Sequence, residues 1–147
     1  MLRSRRELGA VAEDQAAQHL LGLGYTLITR RYSARGGELD VVALDGDVVV
    51  FVEVKARRDG RVPEESFTPT KAARLRRAAR AYLQEAGTPE HPHRFDIVAI
   101  DREGLRHHIG VSVDSAEMLE HVTEDGGRPV DDELDADHRR QQREDFA

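Results

Sequence analysis

A hairpin in the first half of the chain constrains the fold more than any other stretch. Residues 48–55 read Val-Val-Val-Phe-Val-Glu-Val-Lys, so Val48, Val50, Val52 and Val54 form one wholly apolar face. The alternate face, Val49, Phe51, Glu53 and Lys55, is apolar near one end and charged at the other. β-Branched and aromatic residues in this pattern make a strand, and residues 38–44 supply its partner. Between the two lies Asp45-Gly46-Asp47, and Asp-Gly is the preferred pair for a two-residue type I′ turn. With Asp45-Gly46 as that turn, Leu44 pairs with Asp47, Glu38 falls opposite Glu53, and Asp40 falls opposite Phe51, one diagonal step from Glu53. Glu38, Asp40, Glu53 and Lys55 then project from a single face.

The elements around the hairpin follow from periodicity and from breakers. Leu8, Val11, Ala12, Ala16, Leu20 and Leu23 recur at helical spacing over residues 4–24, with Gly22 and Gly24 at the end. Residues 25–29 are β-rich and residues 35–37 make a turn. A polar loop over 56–68 leads to Thr68-Pro69, an N-cap followed by proline at the first helical position. The second helix runs to about Ala86 and stops at Gly87. Strands are expected over 94–100 and 105–113. The order αβββαβ, with one hairpin, predicts an α/β sandwich, a mixed sheet flanked by helices.

Composition divides the chain. Residues 117–147 contain eleven acids and four bases, whereas residues 1–116 contain seventeen acids and eighteen bases. The expectation is one domain over 1–116 with an acidic, disordered tail over 117–147, because the tail has too few large apolar residues to offset its ordering entropy. The chain has no cysteine, which excludes disulfides and thiolate metal sites. Its longest apolar run is far short of the ~20 residues that span a bilayer, and its basic N-terminus leads into a charged helix rather than an apolar leader. A soluble, cytoplasmic protein without a membrane partner is the expectation. Of its 22 basic residues, all are arginine except Lys55 and Lys71. Codon bias explains the arginines, and a lysine kept against that bias suggests a need for a compact ammonium rather than a planar fork.

Two glutamates opposed on a sheet repel each other unless a cation lies between them or one of them is neutralised. For carboxylates clustered without cysteine or histidine, the suitable cation is Mg²⁺ or Mn²⁺. A lysine two residues beyond the second carboxylate could hold a nucleophilic water or balance charge on a phosphoryl group. The plainer reading of the same residues is an ion pair between Glu53 and Lys55 at a strand end, worth little.

At this point the sequence resembles a known family. Gly37-Glu38-Leu39-Asp40-Val41-Val42-Ala43 followed by Val50-Phe51-Val52-Glu53-Val54-Lys55 closely resembles the YraN-like predicted endonucleases, of the restriction-endonuclease-like, PD-(D/E)xK superfamily. Glu13, Gly24-Tyr25, Lys71 with Arg74-Leu75, Ala81-Tyr82-Leu83 and Arg94-Phe95-Asp96 extend the likeness over residues 7–101. The resemblance implies Asp40 and Glu53 as metal ligands and Lys55 as the catalytic lysine. Glu13 matches the acidic residue that related archaeal Holliday-junction resolvases carry on their first helix. The first strand departs from the family pattern, reading Arg30-Arg31-Tyr32-Ser33 where the family has asparagine after the first arginine.

The expected function is a divalent-metal-dependent endonuclease acting on DNA rather than RNA and selecting structure over sequence. Its candidate site is Asp40, Glu53, Lys55, Glu13 and Glu38, with Mg²⁺ or Mn²⁺ as cofactor. Arg30, Arg31, Arg35, Arg57, Lys71 and Arg74 are expected to contact nucleic acid as a phosphate track. The alternative is a nucleic-acid-binding module that keeps the fold but cleaves little or nothing. Resolvase-like relatives cut two strands, so a homodimer is the partner arrangement to test. The paired histidines at 91, 93, 107 and 108 are expected to be solvated.

Overall fold

A computed structural model describes residues 4–34 and 37–114. The acidic stretch 117–147 and Arg35 lie outside the described residues. Helix α1 (Arg5–Gly22) is followed by strands β1 (Thr26–Ala34), β2 (Gly37–Asp45) and β3 (Val48–Ala56). A short 3₁₀ turn (Pro63–Ser66), helix α2 (Pro69–Glu85) and strands β4 (His93–Asp101) and β5 (Gly104–His108) complete it. The strands form one five-stranded sheet in sequential order. β3 and β4 are parallel and every other neighbouring pair is antiparallel. The mixed α/β sheet with a helix on each face agrees with the restriction-endonuclease-like core expected from the sequence.

Local chemistry sets the helix ends. Ser4 and Glu7 form a reciprocal capping box, the Glu7 N–H donating to Ser4 Oγ at 3.2 Å and the Ser4 N–H to Glu7 Oε2 at 3.1 Å. α1 ends in a Schellman motif: Gly24 takes φ +89°, Tyr25 N–H reaches the Leu20 carbonyl and Gly24 N–H the Leu21 carbonyl. Thr68 caps α2 by accepting the Lys71 N–H at 3.3 Å, with Pro69 in the first turn.

Both faces of β3 are covered. Val50 and Val52 pack with Ala16 and Leu20 of α1, while Val49 and Phe51 pack with Leu75, Ala79 and Leu83 of α2. The alanines along each helix bring its backbone close to the sheet. Gly37 meets α2 so closely that a Cβ there would lie 2.7 Å from the Arg74 carbonyl oxygen.

The hairpin register differs from the sequence expectation. Asp45 pairs with Val48 and Val41 with Val52, so the two turn residues are Gly46 and Asp47. Gly46 takes φ +59° in the first central position and Asp47 has no positive φ, the pattern of a type II′ turn, which places glycine first. Continued past Val41, this register puts Asp40, not Glu38, across from Glu53. Period-two alternation also breaks here, since Leu39 and Val42, three apart, both join the α2-side core. Opposite Asp40, between the pairs Arg30↔Val41 and Tyr32↔Leu39, Arg31 adopts φ +56°.

Candidate active site

Where β2 enters the sheet and β3 leaves it, a cleft of ≈ 680 Å³ opens between the first half of α1 and the first turn of α2. Asp40, Glu53, Lys55 and Glu13 all line it, and so does Lys71. Residues far apart in sequence meet because α1 lies over one face of β3 and α2 begins over the other. Glu38, by contrast, is exposed and does not line the cleft, and the hairpin register, continued past Val41, brings Asp40 rather than Glu38 toward Glu53. The turn sits one residue later than expected, which moves the pairing by two.

The carboxylates are crowded. Asp40 is partly buried and accepts the Val54 N–H on Oδ2 at 2.8 Å. Burial, then the neighbouring Glu53 carboxylate and a hydrogen bond to it, push the Asp40 pKa up to about 8, against the opposing pull of the Val54 N–H. Near neutral pH Asp40 therefore holds its proton beside Glu53. Glu53 is also paired with Lys55, Oε1 to Nζ at 3.2 Å, with both side chains about one-fifth exposed or less. Glu13 adds to the negative potential at Asp40 but is itself held by Arg31, Nε to Oε2 at 2.8 Å.

This donor set fits a hard divalent cation. A carboxyl kept protonated by burial and a like-charged neighbour is one that a cation can deprotonate and neutralise. Among the described residues no group of three or more His, Cys, Asp or Glu side chains is arranged to hold a metal ion. The site offers two carboxylates, which is how Mg²⁺ is commonly held, with water and phosphate oxygens completing its octahedron.

The basic residues divide into three groups. Arg57 and Lys71 line the cleft, joined by Arg5 and Arg58. Arg30 and Arg31 are engaged by Asp14 and Glu13, both at 2.8 Å, and serve to hold α1 against β1. Arg74 is exposed on α2, where its backbone carbonyl abuts Gly37. Arg5 was legible only as part of a basic N-terminus, since nothing in the sequence placed the start of α1 over the carboxylates.

Beyond this cleft, a second charged cluster lies under the C-terminal end of α1. Asp96 is fully buried, and its carboxylate accepts from Arg94 Nε at 3.1 Å and from the Gly110 N–H at 3.0 Å. It also pairs with His107 Nε2 at 2.8 Å. Burial acts to raise its pKa, but these donors outweigh burial and hold the carboxyl below its usual range. Arg94 reaches on to Asp45 and the Tyr25 hydroxyl, and His107 Nδ1 meets His19 Nε2 at 3.0 Å. His107 is thus buried in a satisfied network rather than solvated.

No helix among the described residues is long and apolar enough to cross a membrane. Residues 12–100 match the family described as "Uncharacterised protein family UPF0102". A UPF0102 protein of Acidothermus cellulolyticus is 48% identical over 109 residues, covering 66% of this chain and 83% of that one. Another, from Ectopseudomonas mendocina, is 46% identical over 106 residues, covering 70% and 89%. A third, from Symbiobacterium thermophilum, is 44% identical over 98 residues, covering 65% and 83%. The family to which the sequence resemblance pointed is the one matched, and the chain belongs to UPF0102.

Proposed function

We propose that the protein is a divalent-metal-dependent phosphodiesterase that cuts DNA and selects its substrate by structure rather than base sequence. The observation behind this reading is the Asp40–Glu53 pair, two carboxylates pressed together in a cleft whose rim is cationic. Mg²⁺ or Mn²⁺ would supply Lewis-acid polarisation of the phosphate and a more acidic bound water. Asp40 and Glu53 would hold it once Asp40 has lost its proton. The Val54 N–H fixes one oxygen of Asp40 and leaves Oδ1 for other partners. Lys55, oriented by Glu53, presents an ammonium that can direct an attacking water and balance charge developing on the phosphoryl oxygens. Arg5, Arg57 and Arg58 attract the phosphodiester backbone toward the cleft.

One observation favours a second reading, a DNA-binding module with little cleavage. Of the four carboxylates that line the cleft, Glu13 is occupied by Arg31 and Asp59 by Arg57 and Arg61, which leaves Asp40 and Glu53 for a cation. Flaps, forks, junctions and single strands incubated with Mg²⁺, Mn²⁺ or EDTA separate the two. The nuclease reading expects metal-dependent cutting of at least one structure. It also expects Lys55→Ala to lose ~10²-fold in rate while retaining DNA affinity, as for a group acting in the transition state. Binding without cutting under every metal condition transfers the case to the module.

A further inference from the structure

In a chain with twenty arginines, the only two lysines meet in one place. Lys55 leaves the end of β3, and Lys71 lies in the first turn of α2, yet both line the cleft that holds Asp40 and Glu53. Three physical costs attach to Lys71 there. It is partly buried, which disfavours its charge. It faces the Lys55 ammonium and the Arg57 guanidinium, which repel it. It also occupies a helix N-terminus, where the macrodipole favours anions. Burial first and Lys55 second hold its pKa below the usual lysine range, and Glu53 gives back only part of that loss. An anion brought into the cleft relieves all three at once.

We infer that Lys71 binds the scissile phosphate, and that its ammonium takes the charge-neutralising place that a second metal ion fills in two-metal nucleases, so that the site works with one metal. This rests on the phosphodiesterase reading above and specifies how its phosphate is held. Two-metal centres clamp the attacking and leaving oxygens from both sides and draw on more ligands than two carboxylates. Here Glu13 is held by Arg31 and Asp59 by Arg57 and Arg61, and what α2 contributes to the cleft is a cation, Lys71. In the step itself, the water oxygen forms a bond to phosphorus and the bond from phosphorus to the leaving sugar oxygen breaks. The water's proton passes to solvent and the leaving oxygen takes one from solvent. Lys71 keeps its proton throughout and donates hydrogen bonds to phosphate oxygens as their charge grows. A compact ammonium, a point charge rather than a planar fork, suits a position shared with Lys55.

The test uses the full chain, with circular dichroism to check that each variant is folded. Calorimetric titration with Mn²⁺ alone should give one ion per wild-type chain. Lys71→Met should bind that ion about three- to tenfold more tightly, because a repelling charge has gone. Lys71→Glu adds a carboxylate and should admit a second ion. On a substrate that the wild type cuts, Lys71→Met should lower kcat at least tenfold with little change in KM, and Lys71→Arg should not restore it. Two Mn²⁺ ions per wild-type chain would overturn the inference, as would unchanged kcat in Lys71→Met. If the wild type cuts nothing, the phosphodiesterase reading fails by itself. The Mn²⁺ arm then still decides whether Lys71 is coupled to the carboxylates, and equal affinity in Lys71→Met refutes that coupling.

Discussion

Asp40→Asn should make the protein more stable in the absence of divalent metal, and the gain should grow with pH. In the unfolded chain the Asp40 carboxyl ionises near its ordinary value of 3.8, whereas in the folded protein it holds its proton up to about 8. Between those values the folded state binds more protons than the unfolded one. Stability therefore falls as pH rises through that window, and the loss is complete once the folded carboxyl ionises. Each pH unit in the window costs about 1.4 kcal/mol, which sets a ceiling of roughly 6 kcal/mol at pH 8. Asp40 is only partly buried and lines an open cleft that admits water, so the expected gain is about 1–3 kcal/mol. Asparagine keeps the local geometry, since its carbonyl oxygen can accept the Val54 N–H and its amide can donate to Glu53.

Urea unfolding of wild type and variant in EDTA, at pH 5 and pH 8, reads the effect directly. The two proteins should nearly coincide at pH 5 and separate at pH 8, with Asp40→Asn the more stable. Addition of Mg²⁺ should then raise the wild type and leave the variant where it was. An equal difference at both pH values, or a variant less stable than wild type at pH 8, would refute the raised pKa of Asp40.

Two further outcomes follow from the packing and from the second charged cluster. Gly37→Ala places a methyl 2.7 Å from the Arg74 carbonyl, so α2 must shift; thermal unfolding should show a loss of about 1–3 kcal/mol, and no loss would mean that the helix yields freely. His19 is held below its ordinary pKa by burial and then by His107, so its protonation on unfolding drains stability as pH drops below about 6.5. His19→Gln should accordingly lose less stability than wild type between pH 7 and pH 5 in urea titrations, and parallel losses would argue against the His19–His107 contact.

How much of this was legible in the sequence depended on whether the deciding interaction was local. The α2 start was, because Thr68-Pro69 is both cap and first turn. The strands of the hairpin were as well, because their apolar periodicity leaves little choice. The register was not. Asp45-Gly46 and Gly46-Asp47 are both acceptable turns, and the choice between them moves the pairing by two residues. That shift preserves which residues share a face, so the charged end of β3 was read correctly while its partner was exchanged, Asp40 for Glu38. The expected strand over 105–113 ends at His108, since Gly110 turns at φ +70° and gives its N–H to Asp96. Which of His107 and His108 points inward is likewise decided by a buried acid eleven residues away, and not by alternation.

Two aspartates on neighbouring parts of the same sheet show the difference between charge that holds a fold and charge that is kept for something else. Asp96 is the more buried, yet its oxygens receive an arginine, a histidine and a backbone N–H, and its pKa is driven down. Asp40 receives one backbone N–H, faces another carboxylate, and its pKa is driven up. Around Asp40 the other unfavourable features also collect. Arg31 stands at φ +56°, a left-handed conformation that costs a non-glycine residue on the order of 1 kcal/mol. Lys55 and Lys71 repel one another, and Lys71 sits at the wrong end of a helix dipole. Backbone strain, a trapped proton and opposed ammoniums are different kinds of cost, and packing alone does not explain why they meet in one cleft. A module that only binds DNA needs the cations but has no use for two crowded carboxyl groups, one of them held protonated. Their presence beside the lysines supports the proposed reading, in which the site would take up a metal before a phosphodiester.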